Sequence, residues 1–373
     1  MTGTSERLAR KQVTPQRRKP DLAWAPLVAI WEVTRACDLA CVHCRAEAMP
    51  APDPAQLSTA EALDLLDQLR ELGPGVLVLT GGDPLKRPDL FTIIEAARCR
   101  GLEVAVTPSV TPLLTLDAIR RFADSGTSRL ALSLDGPDAR THDAFRGSPG
   151  AFAATVRAIA AARVTGLPMQ VNTSLTRDTV RHLPPIGRLL ESIAPVLWSV
   201  FFVVPVGRAA AAQQLDAATC EQTFHWLYDW REATGIAVKT TAAPAFRRVV
   251  LRREAARARA ARAPRRPLPP AINDGKGFVF VSHTGDVFPS GFLPLAAGNV
   301  RHARLAEVYR RSPLFRALRD ERRLEGKCGA CPFRSLCGGS RARAWATTGN
   351  PFAEDPACVY EPPQHDPAPT PEP

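Results

Sequence analysis

Between residues 27 and 205, short apolar runs alternate with longer stretches in which apolar positions recur every three or four residues. The short runs read as strands and the longer stretches as helices. The strands fall at 28–34, 76–80, 102–107, 129–134, 169–175 and 199–204, and one helix is sharply bounded at 59–72, with Ser58 as its N-cap and Gly73 ending it. Six strand–helix units in series predict an α/β fold with a parallel sheet. Right-handed crossovers curl such a sheet into a partial (β/α)6 barrel, and ligands bind at the carboxyl ends of its strands.

After residue 206 the pattern changes to a helix near 216–234, a strand, an arginine-rich stretch, a hairpin at 278–288 and a cysteine-rich end. The expected organisation is a basic tail (1–26), the partial barrel (27–210), a bridging helical region (211–276), a smaller C-terminal domain (277–361) and a Pro-rich acidic tail (362–373). Both tails read as solvated disorder and 264–270 as a loop.

The chain has 373 residues, 45% of them hydrophobic and 23% charged, which is ordinary globular usage. Its net charge of +11 is concentrated in two places, +5 in residues 1–20 and +8 in residues 247–266, leaving the remainder at −2. That distribution forms no broad basic face, so nucleic acid is not an expected partner. No run of about 18 apolar residues is present, so neither is a membrane. The N-terminus has no secretory apolar segment, and the expected location is cytoplasmic. Nine cysteines in such a chain point to metal ligation or redox chemistry rather than structural disulfides.

Their spacing narrows this. Cys37, Cys41 and Cys44 follow the first strand directly, on the face where ligands bind. A closed structural site uses four protein ligands, whereas three leave one position open for a substrate. The plain alternative is a zinc knuckle that borrows His43 as fourth ligand. Near the other end lie Cys328, Cys331, Cys337 and Cys358, enough to close a site, with Gly329, Gly338 and Gly339 available for tight turns. Zinc is again the alternative, although only one of the paired knuckles of a zinc ribbon is present. Cys99 and Cys220 stand apart within helical patterns and receive no function.

The C-x3-C-x2-C spacing resembles that of radical S-adenosylmethionine (SAM) enzymes. The resemblance implies a [4Fe–4S] cluster on Cys37, Cys41 and Cys44 whose open iron chelates SAM, and one-electron cleavage of SAM to a 5′-deoxyadenosyl radical that abstracts hydrogen from the substrate. It also implies a SAM pocket built from His43 beside the adenine, from Gly81, Gly82, Asp83 and Pro84 (similar to the family's Gly-Gly-Glu-Pro motif), and from the strand-end residues Ser109, Ser133, Asp135, Asn172 and Gly207. Turn formation or capping is the plain reading of Gly81–Pro84 and of the strand-end residues taken alone.

The C-terminal segment resembles the SPASM extension of these enzymes, which normally binds two auxiliary clusters. Here the four cysteines match the ligands of one of them, while Ser290 and Arg341 stand where further cysteines would be expected, so one auxiliary [4Fe–4S] cluster is implied. The segment from Cys337 to Cys358 is similar to the branch that modifies iron porphyrins in alternative haem and haem d1 biosynthesis, and to a less characterised SPASM family sharing that tail; it departs from the haem enzymes at Ser340 and Asn350. Arg247, Arg248, Arg252 and Arg253 suit the carboxylates of a tetrapyrrole substrate, with a solvated helix face as the alternative.

A precursor peptide is the second substrate class, for which the short stretch before the first strand implies a separate leader-binding partner or direct binding. A ferredoxin or flavodoxin is the implied electron donor. A non-enzymatic iron–sulfur or zinc protein is the reading from another class, which the three-thiol open site disfavours.

Overall fold

The computed structural model describes residues 21–262, 264, 268 and 270–363. The basic segment before residue 21, the Pro-rich end after 363 and part of the expected loop at 264–270 lie outside the described residues.

Ten strands form one sheet: β1 (Val28–Glu32), β2 (Val76–Thr80), β3 (Val104–Val106), β4 (Arg129–Ser133), β5 (Met169–Leu175), β6 (Leu197–Phe202), β7 (Val238–Thr241), β8 (Phe278–Val281), β9 (Asp286–Phe288) and β10 (Gly298–Asn299). From β1 to β7 each strand pairs in parallel with the next. The first helices are α1 (Thr59–Leu72), α2 (Leu90–Cys99), α3 (Leu116–Asp124), α4 (Ala139–Arg146), α5 (Ala151–Val164) and α6 (Leu183–Ile193), supplying the crossovers up to β6. After β6 come α7 (Ala217–Thr234) and, after β7, α8 (Phe246–Ala261).

The two faces of the strands divide the labour. Ala29, Trp31, Leu77, Leu79, Val104, Val106, Leu130, Leu132, Val171, Trp198 and Val200 are buried toward the helices. Their alternates, Val28, Ile30, Val76, Val78, Thr80, Ala105, Arg129, Ala131, Ser133, Gln170, Asn172, Ser174, Ser199 and Phe201, all line a single cavity of about 1140 Å³. Residues with a period of two on a parallel sheet therefore point either into the helix layer or into one shared cavity. This is the geometry of a sheet curled around its ligand site. Strands of a parallel sheet buried on both faces read as continuous apolar runs. Polar residues in β4 and β5 mark the wet interior instead.

Helix α1 begins as its sequence predicts. Ser58 and Glu61 form a reciprocal capping box and Gly73, at φ 71°, closes the C-terminus in the left-handed conformation that glycine adopts without steric cost.

The C-terminal region is built onto the same sheet. The expected hairpin is present as β8 and β9, paired antiparallel, and β8 lies parallel to β1 on the edge that the sixfold repeat left open. The limit drawn at 276/277 thus falls between strands of one continuous sheet. Four short helices follow: α9 (Leu305–Arg311), α10 (Pro313–Arg319), α11 (Gly326–Ala330) and α12 (Arg341–Thr348). Leu305, Val308, Tyr309 and Phe315 join the same apolar core as α1 and β1. Among the described residues no helix is long and apolar enough to cross a membrane.

Candidate active site

The loop after β1 is held at both ends. Cys37 N–H donates to the Met49 carbonyl (2.7 Å) and Met49 N–H to that of Arg35 (3.0 Å), closing residues 37–49 into a compact excursion at the carboxyl mouth of the barrel. Within it Cys37, Cys41 and Cys44 all line the large cavity. The Cys37 sulfur accepts from Leu39 N–H (3.4 Å) and lies 3.6 Å from the Ser109 hydroxyl, and Arg146 reaches the Cys41 sulfur at 3.8 Å. Burial pushes the Cys37 thiol up, so its thiolate calls for a positive partner. An iron–sulfur cluster held by these thiolates would supply that charge, and N–H groups aimed at sulfur are what cluster-ligating thiolates accept.

Gly81 and Gly82 line the cavity where β2 meets the cysteine loop. A β-carbon on Gly81 would lie 2.4 Å from the Thr34 carbonyl oxygen, and one on Gly82 would lie 2.4 Å from that of Ala36. These glycines are required by the close approach of two backbones. Asp83 and Pro84 are placed differently. Asp83 is buried behind the cavity wall, where its carboxylate accepts from Leu85 N–H, Ser109 N–H and the Thr111 hydroxyl (2.6 Å). It ties the β2 loop to the β3 loop, and burial raises its pKa despite those donors.

Of the other predicted residues, His43, Ser109, Ser133 and Asn172 line the cavity. His43 is stacked on Phe145, with ring centroids 4.1 Å apart, and its Nδ1 is buried without a hydrogen-bond partner among the described residues. Asp135 lies beneath them, accepting from Ser174 N–H (2.6 Å) and ion-paired with Arg146. Burial opposes its charge, but Arg146, His43, His142 and the Ser174 N–H together outweigh it and the carboxyl sits below its usual range. Gly207 braces the back of the cysteine loop: at φ 60°, its missing β-carbon would fall 2.5 Å from the carbonyl oxygens of Cys44 and Arg45, and its neighbour Arg208 donates to the carbonyls of Cys44 and Cys41.

Sequence reasoning missed the clamp that anchors this loop to the C-terminal region. Glu32, fully buried at the end of β1, pairs with Arg45 and accepts from His283 Nδ1 (2.9 Å), whose Nε2 faces Asp53 at 3.0 Å. Burial works against the Glu32 charge, yet Arg45 and His283 hold its carboxyl down to about 2. A lone glutamate ending an apolar strand was the available signal. Arg146, which bridges Asp135 and Cys41, was unremarkable in its helix.

The second group of cysteines surrounds a small cavity of its own. Cys328, Cys331, Cys337 and Cys358 line it together with Arg248, Lys327, Phe333 and Tyr360. Backbone N–H groups of Asp355, Phe333 and Gly339 donate to the sulfurs of Cys328, Cys331 and Cys337, each at 3.4 Å. Burial pushes Cys331 and Cys358 up, and Cys337 to about 12. Arg341, standing where a cysteine was expected, is buried and donates to the Cys328 sulfur (3.7 Å) and to the carbonyls of Gly339, Pro351 and Ala353. Ser290 is buried in the wall of the large cavity and accepts from Phe292 N–H. Among the described residues no three His, Cys, Asp or Glu side chains converge closely enough for a single metal ion. Thiols spread around a cavity, with N–H donors on their sulfurs, fit a cluster.

The four arginines singled out for carboxylates do not act together. Arg247 lines the large cavity, Arg248 borders the small one and pairs with Glu221, Arg252 is exposed, and Arg253 pairs with Asp229 on the surface. Cys99 is exposed and Cys220 buried, both apart from either cavity.

Three thiols at the carboxyl mouth of a sequentially wound parallel barrel define a radical SAM enzyme. Residues 31–185 match the family described as the Radical SAM superfamily. The chain belongs to that superfamily, and membership brings a [4Fe–4S] cluster and SAM. It is 42% identical over 338 residues to an AdoMet-dependent heme synthase of Nitratidesulfovibrio vulgaris, covering 89% of this chain and 92% of that one. It is 30% identical over 345 residues to the mycofactocin maturase MftC of Mycobacterium ulcerans, covering 90% and 88%. In fold it is similar to Streptococcus suis SuiB bound to the precursor peptide SuiA, with TM-score 0.70 at 16% identity over 90% of this chain and 76% of that one.

Proposed function

We propose that this radical SAM enzyme abstracts hydrogen from a side arm of a carboxylate-bearing iron tetrapyrrole. The observation that carries this reading is the cavity. At about 1140 Å³ it exceeds the roughly 300–1,000 Å³ that holds one drug-sized ligand, leaving room for SAM and a second large, flat molecule. When bound, the cluster and SAM supply the 5′-deoxyadenosyl radical, chemistry that no side chain provides. The 42% identity to a heme synthase favours the tetrapyrrole over other occupants of that size.

The chain's own residues bind, orient and exclude water. Cys37, Cys41 and Cys44 hold the radical-generating cluster. Gly81, Gly82, Ser109, Ser133 and Asn172 form the SAM wall, and the free Nδ1 of His43 is available to the adenine. Asp83, Pro84, Asp135 and Gly207 fix the loops from outside the cavity. Cys328, Cys331, Cys337 and Cys358 hold one auxiliary [4Fe–4S] cluster in the segment 277–361, and a ferredoxin or flavodoxin supplies electrons.

The test is anaerobic. Protein reconstituted with iron and sulfide is given reductant and SAM, and 5′-deoxyadenosine is quantified with and without a carboxylated iron porphyrin. Stimulation by the porphyrin, with hydrogen transferred from its side arm, is the expected result; SAM cleavage indifferent to the porphyrin overturns the substrate assignment. The second reading, a peptide maturase, is favoured by the 30% identity to MftC and would then be pursued. Cys37→Ala is expected to abolish 5′-deoxyadenosine formation, whereas Cys358→Ala retains the first cluster's electron paramagnetic resonance signal and loses product.

A further inference from the structure

The large cavity is lined by seven cations besides histidine, and four have carboxylate partners: Arg45 with Glu32, Arg146 with Asp135, Arg231 with Glu232 and Glu254, and Arg257 with Glu232. Three have none among the described residues. Among the described residues Arg129 reaches only the amide oxygen of Gln170, at 3.4 Å, Arg247 donates only to the Ile272 carbonyl (2.6 Å), and the Lys239 ammonium forms no hydrogen bond.

These three come from different elements. Arg129 opens β4, Lys239 is the second residue of β7, and Arg247 is the second residue of α8. In register Lys239 lies across the sheet from Ser199, which faces Asn172, which faces Ser133. Arg129 precedes Ser133 by four residues, about 13 Å along the strand. Arg129 therefore stands at the amino end of its strand, Lys239 lies level with the Ser133–Asn172–Ser199 row, and Arg247 opens the helix that follows β7, so the three cations are spread along the cavity wall. Burial, then the fields of Arg247 and Arg129, lower Lys239 to about 8. Partly buried like charges assembled with no carboxylate among them are costly unless an anion joins them.

We propose that Arg129, Lys239 and Arg247 form a cradle for substrate carboxylates, gripping the arms that are not altered so that the reacting arm faces the cysteine mouth. The cradle rests on the reading that the tetrapyrrole enters this cavity. It assigns contacts: the unaltered carboxylates meet cations supplied by β4, β7 and α8 along one wall of the cavity. Lys239 adapts to the arms as a point charge, and the two guanidinium groups can each grip a carboxylate in bidentate fashion.

The test compares a carboxylated iron porphyrin with its fully esterified form, titrated anaerobically into cluster-loaded enzyme and followed by the porphyrin absorbance. Wild-type protein is expected to prefer the free acid, and Lys239→Met or Arg247→Gln to weaken acid binding about tenfold to a hundredfold while leaving ester binding unchanged. Lys239→Arg, which keeps the charge, is expected to retain most of the acid preference. Equal weakening of acid and ester would mean that the variants damage the fold, and an acid preference surviving in both charge-removing variants would overturn the cradle while leaving the tetrapyrrole in the cavity. If wild-type protein binds neither form, the substrate reading itself fails and the cradle with it.

Discussion

His142 shows how one buried side chain couples the site to pH. Its Nδ1 accepts from Asp135 N–H (3.1 Å) and its Nε2 faces the Thr155 hydroxyl (3.5 Å), so the neutral ring is the one that fits. Burial lowers its pKa from 6.5 to about 4; Asp135 and Asp143 oppose the shift and Arg146 adds to it. A folded pKa below the unfolded one means that the unfolded chain binds the extra proton between those values, so this group's contribution is lost as pH falls from 6.5 toward 4. At pH 5 the loss is about 2 kcal/mol. Denaturant midpoints of the cluster-loaded protein at pH 7.5 and pH 5 are expected to differ less in His142→Gln than in wild type. An unchanged difference would remove His142 from the titration.

At the level of elements, what was legible depended on whether the signal was local. Helix α1 could be bounded from Ser58, its leucines and Gly73, because caps and periodicity are written in neighbouring residues. Removing the cap oxygen in Ser58→Ala is expected to cost about 1 kcal/mol, read as a lower denaturant midpoint with unchanged iron content. The grouping of the three cysteines is local in the same way, since spacing within one loop is sequence, and the fold brings all three to one cavity. The placing of Asp83 is not local. The motif gives its position, but its three hydrogen bonds come from residues up to 28 positions away, and they turn its carboxylate from the cavity into the wall. The arginines of α8 show the same limit, since charge on a helix says nothing of which neighbour each residue meets. Lys239 and Arg129 escaped because a cation in a short strand reads as edge exposure until the curl of the sheet turns it inward. The Gly81–Gly82 pair makes the complementary prediction. In Gly82→Ala the added carbon collides with the carbonyl oxygens of Arg35 and Ala36, both backbone atoms, so the cysteine loop must shift. Loss of the radical-generating cluster's paramagnetic signal with the helical circular dichroism unchanged is the expected outcome.

For the whole molecule, the C-terminal region that carries the second group of cysteines is a load-sharing part of the barrel and not an appendage. Strand β8 covers the edge of β1, His283 joins Glu32 and Asp53, and α9 and α10 complete the core under α1. A fragment ending at residue 276 uncovers that edge and core, and is expected to show no cooperative unfolding transition by circular dichroism. The contact between His283 and Glu32 links residues 251 positions apart. A nascent chain synthesised at about 5–20 residues per second thus carries its cysteine loop for tens of seconds before the strand and histidine that fix it have been made. The fold assigns an order to biogenesis: the thiols that are translated first wait for β8 and His283 before they are locked, and iron delivered before that point meets a loop still free to open.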